Sequence, residues 1–200
     1  MTDDAELLRE AAEAGDVQAM VQLGTLLKNQ GEAEEAERWL RQAAEAGETR
    51  AMFELGALLY GRGDAGEAER WFRPAAEAGE ARAVYNLGVL LHIRRDLGEA
   101  KQWYLQAAEA GNAYAMHNLA QLLNEQGQAE EAGSWYRRAA DEGSSDAMFD
   151  LGLLLEQQGE GEEAEIWFQK AYQLPDGLHR QRAWERMSIT DTKRGGRRLL

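Results

Sequence analysis

The chain has 200 residues, 44% of them apolar, no cysteine and a formal charge of −14 at neutral pH. That apolar content is enough for a sizeable buried core. The acidity excludes a general phosphate-binding surface, which needs clustered Lys and Arg, and the absence of cysteine excludes thiol chemistry. No apolar run approaches 18 residues and no apolar segment follows a charged start, so neither a membrane span nor a secretory leader is expected. A cytoplasmic protein is the default expectation.

Two prolines, Pro74 and Pro175, abundant Ala and Glu and little β-branched content predict an all-α chain. Taken in order, Thr2–Ala14 is a lone second helix of a helix pair, with Leu7 and Leu8 at positions that later units fill with Trp and an aromatic. The stretch AAEAG then occurs at Ala11–Gly15, Ala43–Gly47, Ala75–Gly79 and Ala107–Gly111, and AADEG at Ala139–Gly143 keeps the same 32-residue step. A fixed period of this size marks an array in which each unit buries its apolar face against its neighbours. Columns confirm it: Leu23, Leu55, Leu87, Leu119 and Leu151; Gly24, Gly56, Gly88, Ala120 and Gly152; Trp39, Trp71, Trp103, Trp135 and Trp167.

Each unit reads as two helices. Ala19, Met20, Leu23, Leu26 and Leu27 follow the spacing of one amphipathic face, opened by Asp16 as N-cap, a place taken later by Asn112 and Ser144. The first helix ends at Gly31, Gly63, Gly127 or Gly159, where a residue without Cβ can reverse the chain. Arg95 replaces that glycine in the third unit, so its turn must differ or carry strain. The second helix opens on capping-box patterns, Asp64 with Glu67 and Asp96 with Glu99. Pro74 falls inside such a helix and predicts a kink. Small residues such as Gly24 and Ala36 predict a close approach of the two helices.

At the end, Ala171–Leu174 completes a second helix before Pro175 breaks it. His179–Ser188 is a degenerate first helix, with Ala183, Trp184 and Met187 placed to cover the last repeat, and the basic segment beyond Ile189 is a flexible tail. The expected organisation is an array over 1–174, with a half-repeat at 1–14 and repeats starting at 11, 43, 75, 107 and 139, then a capping helix and tail over 175–200.

AMFELG, AVYNLG and AMFDLG, followed by GDAGEAERWF and WYLQAAEAG, resemble Sel1-like repeats, relatives of the tetratricopeptide repeat, over Ala11 to Lys170. The unit is shorter than is usual for Sel1-like repeats and nearer the tetratricopeptide length. The resemblance implies a right-handed superhelical solenoid of antiparallel helix pairs, with first helices lining a concave ligand groove.

No catalytic constellation is found. Gly61-Arg62-Gly63-Asp64-Ala65-Gly66 fits a dinucleotide-binding spacing but lies between two helices and follows no strand, so it is an inter-helix turn. Glu34/Glu35, Glu130/Glu131 and Glu162/Glu163 fall at helix starts, where negative charge complements the helix dipole. His92, His117 and His179 lack metal-ligand spacing. The Trp column repeats in every unit, as packing residues do. No enzyme activity, metal or cofactor is expected.

Function is expected in the columns that vary. On the first helices these include Arg50 and Arg82 with Tyr114; Phe53, Tyr85, His117 and Phe149; Asn86 and Asn118; and Tyr60 with His92. Spacings of three, four and seven place them on one stripe that the core does not use. The stripe is basic toward its N-terminal half (Lys28, Arg50, Arg82) and acidic toward its C-terminal half (Asp146, Asp150, Glu156). Asn86 and Asn118 sit where related carboxylate clamps place asparagines, yet the lysines of such clamps are absent at Phe53, Tyr85 and His117. The expected function is a non-catalytic adaptor binding a peptide or protein segment, acidic in one version. The alternative is a self-assembling or structural repeat element, designed or recently duplicated. Nucleic acid has support only from the basic tail, and no membrane partner is expected.

Overall fold

The computed structural model describes residues 3–174 and 181–187, which among them form helices and no strand. In order these are α1 (Asp3–Glu13), α2 (Val17–Gln30), α3 (Ala33–Glu45), α4 (Thr49–Gly61), α5 (Ala65–Glu77), α6 (Ala81–Ile93), α7 (Leu97–Glu109), α8 (Ala113–Glu125), α9 (Ala129–Asp141), α10 (Ser145–Gln158) and α11 (Gly161–Gln173), followed by α12 over 181–187. The chain divides into two compact units, Met1–Trp103 and Tyr104–Leu200. In the first, each of α1 to α5 packs on the helix that follows it; in the second, each of α8 to α10 does the same.

The helices begin and end where the repeat pattern places them. The Asp16 carboxylate accepts from the backbone N–H of Gln18 and Ala19 at the start of α2, while Asn112 and Ser144 accept from Ala115 and Ala147. Each satisfies a donor that the first turn of a helix leaves without an intrahelical partner. The glycine that closes AAEAG is left-handed in every copy, with φ near +90° at Gly15 and Gly47 for example.

The turn at Arg95 does not differ: it takes the same left-handed conformation, φ +68°, as the glycines of the other units, so a residue with a Cβ carries the strain. α5 runs through Pro74 as one continuous helix, without the hydrogen bond that the proline nitrogen cannot donate. The capping box expected at Asp64 is not formed, and Asp64 makes no side-chain cap. Its would-be partner Glu67 is instead approached by Arg41 of α3 at 3.6 Å. Likewise Glu99 is bound by Arg73, and Asp96 pairs with Arg94 at 3.3 Å.

The core of each unit is a seam of small residues against large ones. Ala36, Ala68, Ala132 and Ala164 are fully buried. A Cβ at Gly24, Gly56 or Gly152 would stand 2.6, 2.7 or 2.5 Å from Leu40, Phe72 or Phe168, so glycine sets how closely the paired helices meet. At the ends, Leu7 is 64% exposed rather than packed, whereas Ala183 and Met187 of α12 are buried and the Trp184 ring lies tilted against Tyr172, with ring centroids 5.7 Å apart. The expected basic tail lies outside the described residues.

Candidate functional site

Two sets of polar contacts organise the helices. The first is a ladder between successive second helices. The guanidinium groups of Arg9, Arg73 and Arg137 bind Glu35, Glu99 and Glu163, each 26 positions further on, and Arg41 reaches Glu67 with the same spacing. Hydrogen bonds from Arg9, Arg73 and Arg137 hold Glu35, Glu99 and Glu163 below the usual carboxylate range, and Arg41 does the same for Glu37 within α3. In the first unit, Arg62 and Arg94 extend this by binding Glu37 and Glu69. The column was present in the sequence as Arg9, Arg41, Arg73 and Arg137 but was missed, because exposed charges spaced by 32 look like solvated helix surface until their partners are known.

The ladder also accounts for the Trp column. Trp39, Trp103 and Trp167 donate their indole N–H to Glu35, Glu99 and Glu163, at 3.4, 3.3 and 3.5 Å. Trp39, Trp135 and Trp167 are buried. Lys170 lies over the Trp167 ring at 3.8 Å and Arg138 over Trp135 at 4.2 Å. The column is scaffold, with the rings covered by the chain's own cations.

The second set lies on the first helices, and it revises the stripe. Phe53 and Phe149 are buried, 7% and 2% exposed, and pack on Phe72 and Phe168 at 6.0 and 5.5 Å. The core does use this column, because its side chains lean toward the second helix of their own pair. Tyr85, Asn86, His92, His117 and Asn118 are half-buried, whereas Arg50, Tyr60, Arg82 and Tyr114 are exposed, Tyr114 at 69%.

In the first unit, the basic end of the stripe is already engaged. Glu54 is buried and binds Lys28 and Arg82. Arg82 also bonds Glu80 at 2.9 Å and lies over the Phe53 ring at 4.2 Å. Arg50 is exposed and makes no ion pair among the described residues.

In the second unit, α12 covers part of the stripe. Arg182 lies over Phe149 at 4.6 Å and Arg186 approaches Glu156 at 3.5 Å. Beside them, α8, α9 and α10 enclose a polar cleft of about 250 Å³ lined by Gln121, Asn124, Glu125, Tyr136, Asp150, Leu153, Leu154 and Gln157. His117 Nε2 and Gln121 Nε2 both meet Asp150 Oδ2, at 2.9 and 3.2 Å. Burial, and then the charges of Asp150 and Glu125, push the Tyr136 hydroxyl well above its usual range. Among the described residues no group of three His, Asp or Glu side chains could hold a metal ion, and no helix is long and apolar enough to cross a membrane.

Family models for the tetratricopeptide repeat match residues 17–49, 49–74, 113–138 and 141–178, and the Sel1 repeat model matches 81–112. No curated protein matches the chain in sequence. The chain is 30% identical to a protective antigen of uropathogenic Escherichia coli strains that displays an SLR fold, with a TM-score of 0.76 over 94% of this chain and 44% of that one. It therefore spans less than half the length of that relative. A Sel1 repeat protein from Oxalobacter formigenes is 25% identical, with a TM-score of 0.69 over 96% and 93% of the two chains. YrrB, a TPR protein with an unusual peptide-binding site, shares the fold at 23% identity, with a TM-score of 0.70 over 90% and 99%. Repeat folds of this type are in general protein–protein interaction modules. With tetratricopeptide matches on either side of a Sel1 match along one 32-residue register, the chain is a Sel1-like repeat protein of the tetratricopeptide type.

Proposed function

We propose that this chain is a non-catalytic module that binds a peptide or protein segment on the exposed faces of its first helices. The supporting observation is the contrast between elements. The second helices spend their charges on one another through the Arg–Glu ladder, whereas the first helices present exposed aromatics, Tyr60 at 41% and Tyr114 at 69%. Tyrosine offers a large apolar contact with a polar tip at low entropic cost, which suits recognition surfaces.

The test is capture of partners by the intact chain, by a Tyr60→Ala, Tyr114→Ala chain, and by an Ile166→Ala control on α11. Recovery should fall about tenfold for the double variant, equivalent to roughly 1.4 kcal/mol, and stay unchanged for the control. Equal recovery from all three chains sinks the reading.

A further inference from the structure

The two units treat equivalent carboxylates differently. Glu54 and Asp150 occupy the same column, three repeats apart. Glu54 is buried and meets two cations, Lys28 from 26 positions before it and Arg82 from 28 positions after it. At Asp150 the position 26 before it holds Asn124, which carries no charge. Only His117 and Gln121 reach Asp150, both on Oδ2, and Oδ1 has no partner among the described residues.

A second observation concerns a lining residue of the same cleft. Tyr136 is 3% exposed, and its hydroxyl makes no hydrogen bond among the described residues. A buried phenol ordinarily finds a partner, since leaving one unmade costs the full desolvation of the group. Phe72 and Phe168 fill this column elsewhere, so packing at this position does not require the hydroxyl. Tyr136, Asp150, Glu125 and Asn124 line one cleft, and with Leu154 beside them they offer oxygen acceptors next to an apolar wall. Neighbouring first-helix faces show what such surfaces accept: Arg82 lies over Phe53 and binds Glu54, and Arg182 lies over Phe149.

We infer that the cleft between α8 and α10 receives an arginine side chain of the partner segment, its guanidinium donating to Asp150 Oδ1 and the Tyr136 hydroxyl. Leu154 supports the methylene stem, as apolar surface supports the stems of long cationic side chains generally. This rests on the interaction-module reading and reverses the expectation of an acidic partner.

The experiment titrates the isotope-labelled full chain with the peptide acetyl-Gly-Ala-Arg-Ala-Gly-amide and reads backbone amide shifts. A second peptide carries citrulline, the neutral isostere, in place of arginine. Shifts should cluster at 121–125 and 150–157, with binding about tenfold weaker for citrulline, as loss of one charge-assisted hydrogen bond implies. Asp150→Asn should weaken the arginine peptide by a similar factor. Tyr136→Phe should weaken it about threefold at unchanged melting temperature, because other repeats already carry phenylalanine there.

Equal affinity for the two peptides overturns the inference. So does binding at the cleft that appears only when Lys193, Arg194, Arg197 and Arg198 are changed to alanine, since the chain's own segment would then be the occupant. Shifts confined to other residues overturn the arginine cleft and leave the interaction-module reading standing. Failure of both this titration and the partner capture ends both.

Discussion

The Arg73 guanidinium on α5 binds the Glu99 carboxylate on α7, 26 positions later. The same step joins Arg9 to Glu35 and Arg137 to Glu163, but Leu105, 36% exposed, stands where the arginine for Glu131 belongs. Leu105→Arg should supply the missing rung. An exposed pair of this kind contributes about 0.5 kcal/mol, so the melting temperature should rise by roughly 1–2 °C. Thermal unfolding followed by circular dichroism checks this, and the gain should vanish in Leu105→Arg, Glu131→Gln.

Glycines of similar burial should respond in opposite directions. A Cβ at Gly152 would meet the Phe168 ring at 2.5 Å, whereas at Gly133 its nearest neighbour is Leu154 at 3.5 Å, an ordinary contact. Gly152→Ala should destabilise by about 1–3 kcal/mol through overpacking. Gly133→Ala, inside α9, should stabilise by about 0.5–1 kcal/mol through helix propensity. Denaturant midpoints measured side by side decide it, and a common sign for both would contradict the packing.

Arg95 holds a left-handed φ of +68° with a side chain. Replacing it by glycine should remove a strain of about 1 kcal/mol and raise stability accordingly. The gain should be absent from a matched Arg94→Gly control, whose φ is −74°.

The carboxylates of Glu35, Glu37, Glu99 and Glu163 are held below their usual range by arginine hydrogen bonds. Lowered carboxylate values mean that the unfolded chain binds protons first. Their contribution is therefore present in full above about pH 4.3 and lost as pH falls through the folded-state values. Melting temperature should drop on this acid limb, and Arg73→Leu should shallow the drop. A parallel decline in both chains would show that these pairs do not govern it.

Much of the fold was legible because each repeat states the same local chemistry five times. Asp16, Asn112 and Ser144 announce helix starts by side chains that cap their own backbone, and Gly31 and Gly159 announce stops by a conformation that favours glycine. What escaped was whatever depends on a partner 26 positions away. Glu67 and Glu99 look like capping-box members locally, yet arginines from the preceding second helix are better placed to take them. The burial of Phe53 and Phe149 escapes the sequence for a similar reason: spacing puts them on the first-helix face, but only packing shows that they tilt onto Phe72 and Phe168. The cleft is half legible, since Asp150 belongs to the acidic end of the stripe, while Tyr136 stands in a column that Phe72 and Phe168 fill elsewhere and so carries no signal of its own.

The rungs also set an order in time. Arg9, Arg41, Arg73 and Arg137 each reach 26 positions ahead, so no rung requires closure of a loop longer than one repeat, and the entropy lost is nearly the same at every step. Helix pairs can therefore dock one after another while the chain is still being synthesised, with no rung among the described residues waiting for distant ends to meet. Leu105 marks a step in that sequence at which α9 must settle without an arginine on α7 to receive it.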